Sequence, residues 1–163
     1  MNQIEKDWTT DSGLRAVVML TEMGHRCGYV GVPHGHPLYE HAYDAPHVML
    51  SMDMNRSTEK MSPMQIMLGA FKDNDQLTSP EYVFEVHGGL TFSGGNKEYP
   101  VEADLWWFGY DCAHAGDLPE PESKMGRMYA EHGFADRDGV LRTLDFCVAE
   151  CESLARQLAE VAQ

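Results

Sequence analysis

Histidines and carboxylates are the residues of this sequence best equipped for chemistry, and they are unevenly placed. Four of the eight histidines, His34, His36, His41 and His47, crowd one stretch, while His87 and His114 stand further along the chain. His114 lies in WWFGYDCAHAGD, residues 106 to 117, where four aromatics run into Asp111, Cys112, His114 and Asp117. Asp111, His114 and Asp117 are spaced by three and three, which winds them around one turn. An imidazole gives and takes a proton near neutral pH, and a neighbouring carboxylate fixes its tautomer and raises its basicity. With His87 supplied by a neighbouring strand, these groups could form a general acid/base set or part of a metal site. A divalent ion would draw on His36, His87, His114 and a carboxylate. The sequence specifies no cofactor, because it holds no HExxH, no CxxC pair and no full zinc signature. The competing reading makes His87 and His114 hydrogen-bonding residues at turns, with Asp111 and Asp117 as turn or cap residues. His34, His41 and His47 read as solvated loop residues.

Two further features bear on a ligand. Gly88-Gly89 with Thr91 offers backbone amides and a hydroxyl, a combination that can hold a phosphate or carboxylate. Trp106, Trp107, Phe108 and Tyr110 could stack on a flat heterocycle, although two of the four are expected to be plain core. The ligand-binding candidates are therefore His36, His87, Gly88, Gly89, Thr91, Trp107, Asp111, His114 and Asp117. Were the protein an enzyme, His87, His114 and Asp111 would carry the catalysis.

These residues must be positioned by a chain of 163 residues, enough for one domain over 1–163 with a real core. A net charge of −14 repels nucleic-acid polymers and anionic membranes, while leaving room for a small phosphorylated ligand held by a few arginines. No apolar run is long enough to span a bilayer, and the N-terminus has no basic start followed by an apolar stretch. A cytoplasmic protein with reduced thiols at Cys27, Cys112, Cys147 and Cys151 is expected. Cys147 and Cys151 fall on an apolar stripe and read as core rather than as ligands.

The patterns predict an α+β fold: a mostly antiparallel sheet packed by a long C-terminal amphipathic helix, with one or two shorter helices. LRAVVMLT (14–21) and RCGYVGV (26–32) read as a hairpin, in which Gly28 and Gly31 suggest bulges or close backbone approach. HGHPLYEHAYDAPH (34–47) is a loop, and residues 34 to 60 are where a covering segment would be sought. Ser62-Pro63 starts a short helix over 62–71. PEYVFEVHGG alternates Tyr82, Phe84 and Val86 against Val83 and Glu85, a strand pattern ending at His87. Residues 101 to 111 read as a central strand and ESKMGRMYAEHG as a helix. Val140, Leu144, Cys147, Cys151, Leu154, Leu158 and Val161 form a heptad-spaced seam, packed on the sheet or serving a homo-oligomer.

The blocks GHRCGYVGVPHGHPLY, VHGGLTFSGG and WWFGYDCAHAGD, followed by VAECESLARQL, resemble a family of small uncharacterised bacteriophage proteins across most of the chain. The resemblance implies His36, His87, Thr91, Asp111, His114 and Asp117 as the polar positions of the shared motifs, and action in the infected host cell. By analogy with small phage proteins that counter host defence, the expected function is binding and sequestering a nucleotide-like second messenger. The alternative is a phosphodiesterase-like hydrolase of such a signal, using His/Asp acid–base or metal chemistry. A third is an acidic interaction protein that blocks a host factor.

Overall fold

The computed structural model describes residues 1–51, 59–69, 77–134 and 138–163. Its centre is a five-stranded antiparallel sheet built from β1 (Gln3–Thr9), β2 (Arg15–Leu20), β3 (Arg26–Val32), β6 (Phe92–Gly94) and β7 (Trp106–Asp111), in the order β1-β2-β3-β7-β6. β4 (His47–Ser51) pairs with β5 (Leu77–Thr78), and β8 (Asp117–Leu118) runs parallel to β9 (Val140–Leu141). The helices are α1 (Pro63–Gly69), α2 (Pro80–Val83), α3 (Lys124–His132) and the long α4 (Leu144–Val161). This is an α+β fold. No helix among the described residues is long and apolar enough to cross a membrane.

Strand alternation sends side chains to both faces of the sheet, and both faces are covered. On one face Ala16, Val18, Val30, Val32, Phe108 and Tyr110 meet Cys147, Cys151, Leu154, Ala155 and Leu158 of α4. Those five α4 residues are fully buried, and each leucine among them contributes roughly 1.5–3 kcal/mol of transfer free energy. On the other face Val17, Met19, Tyr29 and Trp107 pack under Tyr99, Val101, Ala103 and Leu105. The heptad seam is thus taken up by this chain's own sheet. Its first member falls away, since Val140 belongs to β9 and is exposed.

The glycines of β3 and β7 are packing devices rather than bulges. Gly28 lies opposite Tyr110 and Gly109 opposite Tyr29. A Cβ on Gly28 would come within 2.4 Å of the Tyr110 ring, and one on Gly109 within 2.6 Å of Tyr29. Each aromatic lies across the bare backbone of its neighbour, which fixes the register of the two central strands.

Besides the short strands β4, β5, β8 and β9, which the patterns do not announce, three stretches differ from the sequence expectation. Residues 80 to 87 alternate in burial as expected, with Tyr82, Phe84 and Val86 buried, yet they are not a strand. Pro80 opens a single helical turn closed by the Phe84 N–H on the Pro80 carbonyl. Beyond it the Gln157 side chain takes the place of a neighbouring strand, accepting from Glu85 N at 2.8 Å and donating to Glu85 O at 2.9 Å. Of residues 101 to 111 only Trp106–Asp111 is strand; the preceding residues cross the second face of the sheet. β1 is an additional edge strand whose sequence, QIEKDWT, carries three consecutive charges, Glu5, Lys6 and Asp7, as an unpaired sheet edge favours. Residues 70 and 71 of the expected helix, and residues 52–58 of the possible covering segment, lie outside the described residues.

Candidate functional site

The turn between β7 and β8 is wound by its own carboxylates. Asp111 Oδ1 accepts from Ala113 N at 3.0 Å, and Asp117 Oδ2 accepts from His114 N at 3.0 Å. Thr91 Oγ1 donates to Asp111 Oδ2 at 3.0 Å. The cap residues expected of this turn are real, and they leave His114 projecting beside Asp117. His87 arrives from the other side, its N–H donating to Glu150 Oε2 on α4 at 3.0 Å.

Asp117 is the hub. Its carboxylate is 1% exposed, accepts from His87 Nε2 at 2.8 Å and 3.0 Å, and accepts from Arg142 Nε at 2.9 Å. Burial opposes its charge, but His114, His87 and Arg142 outweigh that and hold Asp117 well below the usual carboxylate range. His114 Nδ1 stands 3.7 Å from Asp117 Oδ2 and 3.5 Å from Asp111 Oδ1. At 3.7 Å the attraction to Asp117 is one of charge rather than a formed hydrogen bond, and Nδ1 is a buried nitrogen without a hydrogen-bond partner. Asp117 nonetheless raises the pKa of the His114 imidazole, burial opposes the rise, and Asp111 adds to it.

The two imidazoles stand edge to face, ring centroids 5.7 Å apart, and His87 also packs edge-on to Phe146 at 5.4 Å. Gly88 gives His114 its room, because a Cβ there would fall 2.2 Å from the ring. Both histidines line a pocket of about 400 Å³, together with Lys60, Arg142, Phe146 and Glu150. Lys60 is paired with Glu150 at 3.0 Å, and the Arg142 guanidinium lies over the Phe146 ring at 4.9 Å. A smaller pocket of about 250 Å³, lined by His25, Met125 and Tyr129, also meets His114 and Asp117. Among the described residues, one His/Cys/Asp/Glu group could hold a metal ion: His87, His114 and Asp117, with ligand atoms within 4.8 Å of one another.

The structure therefore gathers His87, Gly88, Asp111, His114 and Asp117, and holds Thr91 one step behind Asp111. It does not bring the other candidates there. His36 is buried against the far end of α4, accepting from Leu38 N at Nδ1 and bonded through Nε2 to the Leu158 carbonyl at 2.7 Å. That is about 18 Å along the helix from Phe146. Trp107 is fully buried on the other face of the sheet and cannot stack on a ligand. The Gly88-Gly89 amides are not an open anion cradle: Gly88 N donates to Lys60 O at 2.7 Å and Gly89 N to Val86 O at 2.8 Å. Cys147 and Cys151 are core, with burial pushing the Cys151 thiol up to about 12.

Sequence reasoning missed Lys60, Arg142, Phe146 and Glu150. Glu150 left a trace, since it is three residues past Cys147 and four before Leu154, on the buried stripe of α4. A carboxylate on an apolar stripe needs a partner, and here the partners are Lys60 and the His87 amide. Comparison with protein-family models, curated proteins and solved structures finds no match.

Proposed function

We propose that the protein is a hydrolase of a small phosphoester of nucleotide-like chemistry, with His87, Asp117 and His114 as its centre. The observation that supports this reading best is that both imidazoles line one pocket and stand against one buried carboxylate. At about 400 Å³ the pocket is of the size that takes a small ligand. Lys60 and Arg142 bring positive charge to its wall, and Phe146 supplies an aromatic surface in place of the buried Trp107. In the reaction water adds to phosphorus, the bond to the leaving oxygen breaks, and that oxygen takes a proton.

Sequestration of the same ligand ranks second. It needs the aromatic strand as a stacking wall and the Gly88-Gly89 amides. But Trp107, Phe108 and Tyr110 are buried, Trp106 is half-buried with its indole N–H on the His41 carbonyl, and both amides donate within the fold. One experiment separates the two: incubate purified protein with cyclic and linear nucleotide second messengers, then analyse by chromatography before and after heat denaturation. Hydrolysis is expected, with turnover reduced about 100-fold or more by His87→Ala or His114→Ala. Ligand that disappears and returns intact on denaturation would establish sequestration instead. If every compound stays free and intact, the nucleotide reading is wrong.

A further inference from the structure

We propose that His87, His114 and Asp117 form a three-ligand site for a divalent first-row transition ion, open toward the pocket that the two histidines line. This deepens the hydrolase reading, and only its catalytic consequence depends on that reading.

Three observations converge. The first is spacing. Ligand atoms about 2.1 Å from a common ion are separated by about 3.0 Å in an octahedron and about 3.4 Å in a tetrahedron. His87 Nε2 lies 2.8 Å from Asp117 Oδ2, and His114 Nδ1 lies 3.7 Å from the same oxygen. These two distances fall on either side of what an ion would impose, and with all three ligand atoms within 4.8 Å of one another the imidazoles would close in on a bound ion. The second is the buried His114 Nδ1, which has no hydrogen-bond partner. A buried polar atom left in that state costs about 1–3 kcal/mol, and an ion accepting its lone pair removes the cost.

The third is the surrounding support. Arg142 Nε holds one carboxylate oxygen, Asp117 Oδ1, at 2.9 Å, while the other, Oδ2, accepts from His114 N at 3.0 Å and faces both imidazoles, where the ion would sit. Arg142 is in turn laid over Phe146, so the carboxylate is oriented from behind as metal-binding carboxylates are. Asp111 adds a second negative charge 3.5 Å from His114 Nδ1. The charge balance points the same way. Of the pocket's cations, Lys60 is paired with Glu150 and Arg142 with Asp117, so an anionic substrate gains from an added positive charge. Two imidazoles beside one carboxylate suit zinc, manganese or iron, whereas calcium and magnesium prefer oxygen donors. Three protein ligands leave coordination positions for water and substrate, the arrangement of catalytic rather than structural sites.

The test uses the full chain, stripped with a chelator and titrated with Zn²⁺ by calorimetry, with Co²⁺ absorption as a second readout. One equivalent of Zn²⁺ is expected to bind, and to bind roughly 100-fold or more weakly after His114→Ala. His114 makes no side-chain hydrogen bond, so this variant should fold, which circular dichroism checks. Arg142→Ala is expected to weaken binding by about 10–100-fold, and His34→Ala, on the exposed loop, to leave it unchanged. Absence of stoichiometric binding, equal binding in His114→Ala, or a cobalt–thiolate charge-transfer band placing the ion on cysteine would each overturn the site. Turnover that persists in chelator would overturn the ion's catalytic role while keeping the hydrolase. Stoichiometric metal without turnover would keep the site and sink the hydrolase.

Discussion

His36 and His114 are both drawn inward by the fold, and the contrast between them separates a ring spent on the backbone from one placed against two carboxylates. Both ring nitrogens of His36 are spent on the backbone, one accepting from Leu38 and the other bonded to Leu158, so the ring pins the 33–39 turn to α4. His114 stands between two carboxylates with a buried nitrogen that no hydrogen bond satisfies. The dense histidine cluster is thus separate from the candidate site. His34 stacks on Tyr39 and His41 bonds the Ala45 carbonyl, both uses that turns make of polar rings. What marks the site is convergence: two histidines from distant points of the chain meeting one buried carboxylate.

Substitutions can break or sharpen that contrast. The largest effect is expected of Asp117→Ala, which strands Arg142 and the His114 amide beside an emptied, buried position. It should lower stability by about 3–5 kcal/mol in urea unfolding and abolish turnover. A loss below about 1 kcal/mol would mean that Asp117 is not the hub of the site. His36→Ala should come next, at about 2–3 kcal/mol, because it leaves a buried carbonyl and amide unpaired and opens a cavity. Folded His36→Ala is expected to retain turnover and Zn²⁺ affinity; loss of either would draw His36 back into the functional set. The smallest effect on stability belongs to His114→Ala, about 1 kcal/mol or less, since no hydrogen bond is lost. A thermal denaturation showing a much larger cost would assign His114 a structural role and remove the difference between the two histidines.

Much of the fold was legible because it rests on periodicity. The 14–21 and 26–32 strands, the Trp106–Asp111 strand and the α4 stripe all follow from which residues alternate or recur along one face. Where local pattern misled, a distant group was responsible. Residues 84 to 86 look like a strand because they are extended and half buried, yet their partner is the Gln157 side chain, which no local window reveals. The Gly88-Gly89 pair looks like an anion cradle until Lys60 and Val86 occupy its amides.

For the site, the sequence alone determined the turn chemistry. Spacing by three places Asp111, His114 and Asp117 around one bend, and short polar side chains at such spacing cap nearby amides whatever the rest of the chain does. Tertiary structure decided the rest. Packing of α4 on the sheet brings Glu150 to the His87 amide, Phe146 to the His87 ring and, through the parallel β8–β9 pairing, Arg142 to Asp117. Burial then turns an ordinary aspartate into a strongly held carboxylate with a histidine on either side, because charge interactions strengthen as water is excluded. Neither that exclusion nor the meeting of residues 87, 117 and 142 is written in any local stretch, since both depend on which distant surfaces share a core.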